Sequence, residues 1–250
     1  MARVTYTPQR LEKLTVPARE KHTATVIFAH GLDESGANWM HLAEVLSRDP
    51  ELRHIKYIFP HAPVMAISAK FGMRMPAWYD VISFESVTTE GDSDDFGMLR
   101  SIANLGALVE AEINAGIPPE RIIFGGFRQG GCMALLTGLT YEHELGGLIL
   151  LSGRLQLGKK VKLLMQPRTL TTPIFWGHGV YDTMVSFDAA ERSLAHLRRE
   201  CGLADADPDA PEKGGVLIRK YNTAGFATEE ELKDVKEWMK RVIPAEPAQG

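Results

Sequence analysis

Short runs of consecutive apolar residues alternate along this chain with longer stretches in which apolar positions recur every three or four residues. Residues 25–29 (TVIFA), 55–59, 122–124, 148–151, 174–176 and 216–221 are of the first kind. Such runs predict strands buried on both faces. Trp39, Leu42, Ala43, Val45 and Leu46 open the second kind. Met98, Leu99, Ile102, Leu105, Val109 and Ile113 then mark one face of a long helix, ended by Gly116 and Pro118-Pro119. Residues 129–139, 187–201 and 228–242 read as further helices, the last with a capping-box pair, Thr228 and Glu231. Strands and helices in this alternation predict an α/β fold: a mostly parallel twisted sheet with helices on both faces. Residues 204–215, rich in Asp, Pro and Gly, read as a surface loop. One domain is expected over residues 1–243, with 244–250 as a flexible C-terminal tail.

Composition narrows the function classes. The chain has 250 residues, 44% hydrophobic and 24% charged, enough for one sizeable core. A formal charge of −4 gives no electrostatic case for nucleic acid. Residues 1–22 are polar, unlike a signal peptide, and no run approaches a spanning helix, so no integral membrane association is expected. Cys132 and Cys201 lack C-x-x-C spacing. They fit a reduced, cytoplasmic protein without a zinc site. No metal or cofactor is called for. The acidic residues Glu90, Asp92, Asp94 and Asp95 and the lysines Lys159, Lys160 and Lys162 read as solvated loops.

The chemistry concentrates at residues 122–131, a strand, a glycine turn and a helix start. This is the context of a nucleophile elbow, G-x-S-x-G, but its central position is Arg128. Four segments carry a family likeness. They are His30-Gly31-Leu32 with Ser35-Gly36; 60–64 (PHAPV) with 75–80 (MPAWYD); 125–131 (GGFRQGG); and Gly177-His178-Gly179 with Asp182 and Val185. With this order and spacing the chain resembles the acyl-protein thioesterase and carboxylesterase group of the α/β-hydrolase fold, over roughly residues 8–243. The resemblance implies an oxyanion loop at Leu32, an elbow at Arg128–Gln129 and a triad aspartate at Asp182. It also marks departures. Arg128 stands for the family's serine, Phe226 for its histidine, and Asp33 for the glycine after H-G-L.

An arginine neither attacks a carbonyl nor serves as a base. Serine-type hydrolysis is therefore expected to be negligible, and neither Ser35 nor Ser152 sits where a replacement nucleophile would. Arg128 at a helix start wants an anion. Asp182 could pair with it, or the Leu32 and Gln129 N–H groups could join it in holding a ligand anion. The candidate catalytic set is Arg128, Asp182 and His30, with Asp33, His178 and Tyr181 as further proton carriers. Leu32 and Gln129 form the anion-binding set. Asp33, Met75, Trp78, Tyr181 and Phe226 are the candidate pocket residues, with Tyr79, Phe71, Met65 and Met73 as further apolar lining. His61 reads as a loop brace and Cys132 as a packed small hydrophobe. Three functions follow. The first is a repurposed non-hydrolytic enzyme for cyclisation, isomerisation or elimination of a small, partly apolar anionic or enolisable molecule. The second is an inactive ligand-binding or scaffolding protein. The third is a weak residual esterase or thioesterase using water directly, with Asp182 as base. The expected partner is a small-molecule ligand or substrate, and the family likeness leaves a homodimer open.

Overall fold

The computed structural model describes residues 6–84, 93–225 and 227–246. Its centre is a seven-stranded sheet in the order β1-β3-β2-β6-β7-β8-β9. The strands are β1 (Lys13–Val16), β2 (Ala24–Ala29), β3 (Ile55–Pro60), β6 (Ile122–Phe127), β7 (Gly147–Leu151), β8 (Pro173–Gly179) and β9 (Gly215–Tyr221). β4 (Val64–Ile67) and β5 (Met73–Pro76) form a separate antiparallel hairpin. Only β1 runs antiparallel within the main sheet, pairing Leu14 with Phe59 on β3. The other pairs are parallel, with Ile27 opposite Phe124 and Phe124 opposite Leu148.

Parallel strands need crossovers, and here these carry helices: α1 (Met40–Leu46), α2 (Asp95–Asn114), α3 (Gln129–Thr140), α4 (Val161–Leu164), α5 (Phe187–Cys201) and α6 (Glu229–Val242). The pleat sends alternate β2 residues to opposite faces. Ile27 joins Met98, Leu105, Leu135, Leu139 and Leu194 of α2, α3 and α5, whereas Val26 and Phe28 join Leu42, Leu46, Trp238 and Met239 of α1 and α6. Each fully buried large side chain contributes roughly 1.5–3 kcal/mol, so either face alone outweighs the weak intrinsic propensities of the short strands. Thr228 caps α6 by accepting the Glu231 N–H at 3.1 Å. No helix among the described residues is long and apolar enough to cross a membrane.

The structure departs from the sequence reading in four places. The hairpin β4–β5 and the edge strand β1 were not foreseen. The acidic patch is more than solvated loop. Asp94 caps α2 by accepting the Gly97 N–H at 2.8 Å and also accepts the Asp80 N–H, while Asp95 binds Lys160. Glu90 and Asp92 lie outside the described residues. The 204–215 loop is partly ordered by a bridge between Asp205 and Val216 and by a short turn at Pro211–Lys213.

Candidate functional site

The site is built where β6 meets α3. The turn must be sharp enough for the helix to begin one residue after the strand, and glycines make room for it. A Cβ on Gly126 would lie 2.4 Å from the Gly130 carbonyl carbon, and one on Gly130 only 2.1 Å from Ala29 O. Arg128 sits at the apex with φ 48° and ψ −114°, a conformation that L-residues rarely adopt. Its N–H donates to Leu151 O at 2.8 Å, which ties the apex to the end of β7.

The guanidinium is poorly satisfied for its surroundings. Nη2 donates to Gly225 O at 3.3 Å and stands 3.9 Å from Asp182 Oδ1. A direct charge-assisted bond would be near 2.8 Å, so this is a long ion pair. The Phe127 ring lies 5.1 Å from the guanidinium carbon. Nε is buried and has no hydrogen-bond partner among the described residues. The start of α3 adds a partial positive charge of its own, which disfavours a cation there.

Asp182 follows β8, and its side chain is fully buried. Oδ1 accepts the N–H groups of Met184 at 2.8 Å and Val185 at 3.0 Å. Oδ2 accepts no hydrogen bond among the described residues. Gly225, with φ +93°, packs so closely that a Cβ would sit 2.1 Å from Oδ2. His178, two residues into the same strand end, donates from Nε2 to Val185 O at 2.8 Å. That fixes the proton on Nε2 and leaves Nδ1 as a buried acceptor without a partner among the described residues. Burial is the main cause of its lowered pKa, so the ring stays neutral.

The loop after β2 faces the elbow. His30 is buried, donates from Nδ1 to Gly31 O at 2.7 Å, and accepts the Ala62 N–H on Nε2 at 3.0 Å. Both nitrogens are engaged and burial lowers its pKa, so His30 shapes the loop and has no free nitrogen for proton transfer. His61 braces the same loop by accepting the Gly36 N–H at 3.2 Å. Asp33 adopts φ 60° and donates its N–H to Pro76 O at 2.9 Å. The Leu32 N–H donates to nothing among the described residues. The Gln129 N–H belongs to the first turn of α3, where no intrahelical acceptor exists. The Gln129 side chain clamps the 78–79 segment, accepting from Trp78 N and donating to Tyr79 O, both at 2.8 Å.

A cavity of about 280 Å³ opens beside the elbow and residues 32–34, and its lining does not include Asp182, His30 or His178. Of the sequence-derived candidates it brings together Arg128, Gln129, Leu32, Asp33, Met75 and Tyr79. Trp78 does not line it. It is wholly buried, and its indole N–H donates to His30 O at 2.8 Å. Tyr181 is 65% exposed and also lies outside the lining, as do Phe71, Met65 and Met73. Ser35 bonds Asn38 and Ser152 is buried away from the lining, so neither hydroxyl faces the cavity. Phe226 lies outside the described residues. The cavity also uses residues that sequence reasoning missed or set aside, among them Arg154, Lys70, Val81, Met98, Cys132, Met184 and Val185. Arg154 follows the end of β7, and ligands of open α/β sheets gather beyond the carboxyl ends of strands. That rule was the available signal.

Residues 12–210 match the phospholipase/carboxylesterase family. Acyl-protein thioesterase 1 of Yarrowia lipolytica is 39% identical over 230 residues, covering 91% of this chain and 96% of that protein. The Cryptococcus neoformans acyl-protein thioesterase 1 is 34% identical over 241 residues, covering 94% and 99%. Among solved structures, Arabidopsis thaliana SOBER1 aligns with a TM-score of 0.79 at 27% identity, covering 88% of this chain and 99% of that one. Zea mays acyl-protein thioesterase 2 aligns with a TM-score of 0.74 at 26% identity, covering 93% and 99%. The sheet and its helices are those of the α/β-hydrolase fold. These findings correct the functional expectation. Relatives from 34% to 42% identical are named acyl-protein thioesterases, which points to ester or thioester hydrolysis. It does not point to cyclisation, isomerisation or elimination, nor to an inactive binding protein. The chain belongs to the phospholipase/carboxylesterase family.

Proposed function

We propose that this protein hydrolyses acyl esters or thioesters by direct attack of water, without an acyl-enzyme. The observation that carries the reading is the surroundings of the elbow apex. Arg128, with a buried Nε that has no partner among the described residues, and the Leu32 and Gln129 segments line one cavity, while the Asp182 carboxylate, buried and outside that lining, stands 3.9 Å from the guanidinium with Oδ2 unpartnered among the described residues. The substrate's carbonyl oxygen is held by the N–H groups of Leu32 and Gln129. Arg128 stabilises the negative charge that grows on that oxygen as the tetrahedral intermediate forms. Asp182 Oδ2 takes a proton from the attacking water, while the two bonds on Oδ1 keep the carboxylate oriented. Collapse of the intermediate breaks the bond to the leaving oxygen or sulfur, which takes the proton held on Asp182 and departs as the alcohol or thiol. The apolar lining, including Met75, Val81, Met98 and Met184, accommodates the acyl chain.

Arg128 has no group that can form a covalent acyl intermediate, and the two serines among the described lining residues, Ser83 and Ser93, lie outside the elbow. The relatives' names support the reaction class, and the residues present at the apex support the route. Short-chain p-nitrophenyl esters and acyl thioesters, assayed with the native protein and Asp182→Asn, test it. The expected result is a rate above buffer that disappears in the variant. A rate untouched by Asp182→Asn removes the base from the scheme, and no rate at all removes the reaction.

A further inference from the structure

The cavity holds a second guanidinium that the hydrolytic scheme does not use. Arg154, half-buried, lines the same space as Arg128. Its backbone N–H donates to Cys132 Sγ at 3.4 Å, but its side chain makes no ion pair or hydrogen bond among the described residues. It lies near enough to the buried Tyr79 hydroxyl to favour that phenol's ionised form, although burial of the ring outweighs this and raises the pKa. Two of the cavity's acids are already committed. Asp80 spends both oxygens on Ser68, and Glu34 Oε2 accepts from Gly31 N and the Trp39 indole. Lys70, the third cation of the lining, stacks over Phe84 at 5.3 Å. Arg154 is therefore a forked donor that lines a mixed polar and apolar space and has no side-chain acceptor of its own among the described residues.

We infer that Arg154 is a specificity-determining residue that binds a free carboxylate on the acid part of the substrate. The preferred substrates are then half-esters or half-thioesters of dicarboxylic acids, rather than simple fatty acyl esters. The inference rests on the hydrolytic reading for its reaction but on Arg154 for its selectivity. The acyl carbonyl sits at Leu32 and Gln129, the methylenes lie along Met98 and Val81, and the distal carboxylate meets the guanidinium in a two-pronged contact. A neutral chain of equal length would leave the guanidinium unpaired and its hydration lost.

The test compares the glutaryl and pentanoyl monothioesters of one small thiol, with native protein, Arg154→Ala and Arg154→Lys. Native protein should favour the glutaryl substrate by roughly tenfold or more in kcat/KM, chiefly through KM. Arg154→Ala should erase the ratio, and Arg154→Lys should retain part of it. Equal rates for the two substrates, or a ratio that survives Arg154→Ala, overturn the inference. Calorimetric titration with glutarate and with pentanoate separates this outcome from failure of the hydrolytic reading. Glutarate that binds more tightly than pentanoate, in a manner lost in Arg154→Ala, supports the anion site even if neither thioester turns over. Indistinguishable binding of the two acids overturns it.

Discussion

Replacing Arg128 with methionine removes the charge at the apex while keeping most of the side-chain volume. The expected cost to catalysis follows from geometry. A unit charge about 4 Å from a developing oxyanion is worth about 4 kcal/mol at an effective dielectric constant near 20. The side chain is 25% exposed, and solvent reduces that figure. Roughly 2.7 kcal/mol remains, which corresponds to about a hundredfold in kcat and to the lower end of what one oxyanion donor supplies. Stability should barely change. The loss of a contact to the Phe127 face costs about 0.5–1 kcal/mol, and relief of the unfavourable cation at the start of α3 returns about 0.3–1 kcal/mol. Asp182 keeps both backbone donors on Oδ1 and so is not stranded. The assay is steady-state release of free thiol from a neutral short-chain thioester, beside a thermal melt of each protein. A hundredfold fall in kcat with little change in KM and an unmoved melting temperature is the predicted result. A kcat within twofold of native would refute the charge-stabilising role of the guanidinium.

Three further outcomes follow from other parts of the structure. Asp182→Asn should lower kcat at least a hundredfold while leaving product binding intact, as measured by calorimetry, because it removes the base but keeps the acceptor on Oδ1. Glu231, buried at the start of α6, has its pKa raised to about 7, mainly by desolvation. A carboxyl with a raised folded pKa loses stability as pH climbs from the unfolded value near 4.5 through about 7. Glu231→Gln should therefore stabilise the protein by roughly 3 kcal/mol at pH 8 in urea unfolding, with the gap closing towards pH 4.5; a pH-independent gap would contradict this. Gly130→Ala places a Cβ 2.1 Å from Ala29 O and 2.5 Å from His30 O. Such overpacking against backbone should cost about 3 kcal/mol and lower the melting temperature by roughly 6–12 °C, and an unchanged melt would show that the elbow can relax.

The sheet was legible because its central strands are buried on both faces and therefore read as unbroken apolar runs. All six residues of β2 and of β6 are buried. The hairpin was not legible. β4 and β5 are half exposed, built from Val64, Met65, Ala66 and Ile67 against Met73, Arg74, Met75 and Pro76, and neither alternation nor continuous burial marks them. β1 is an edge strand with every residue at least partly exposed. At the site, Leu32, Arg128, Gln129 and Asp182 could be named because each sits in a short motif with a fixed backbone role. Arg154, Met98 and Met184 could not, since they reach the cavity from three separate parts of the chain and share no local pattern. Trp78 shows the limit in the other direction. Its motif marked it as near the site, but only the fold reveals that the indole turns inward to His30 O.

The route of hydrolysis is tested most directly by rapid-quench turnover of an acyl thioester, with product and intact protein mass followed from the first milliseconds. Direct attack by water predicts product that accumulates linearly from time zero and a protein whose mass never changes. A burst of thiol accompanied by an acyl adduct on the protein, or no product above the buffer rate, would contradict it.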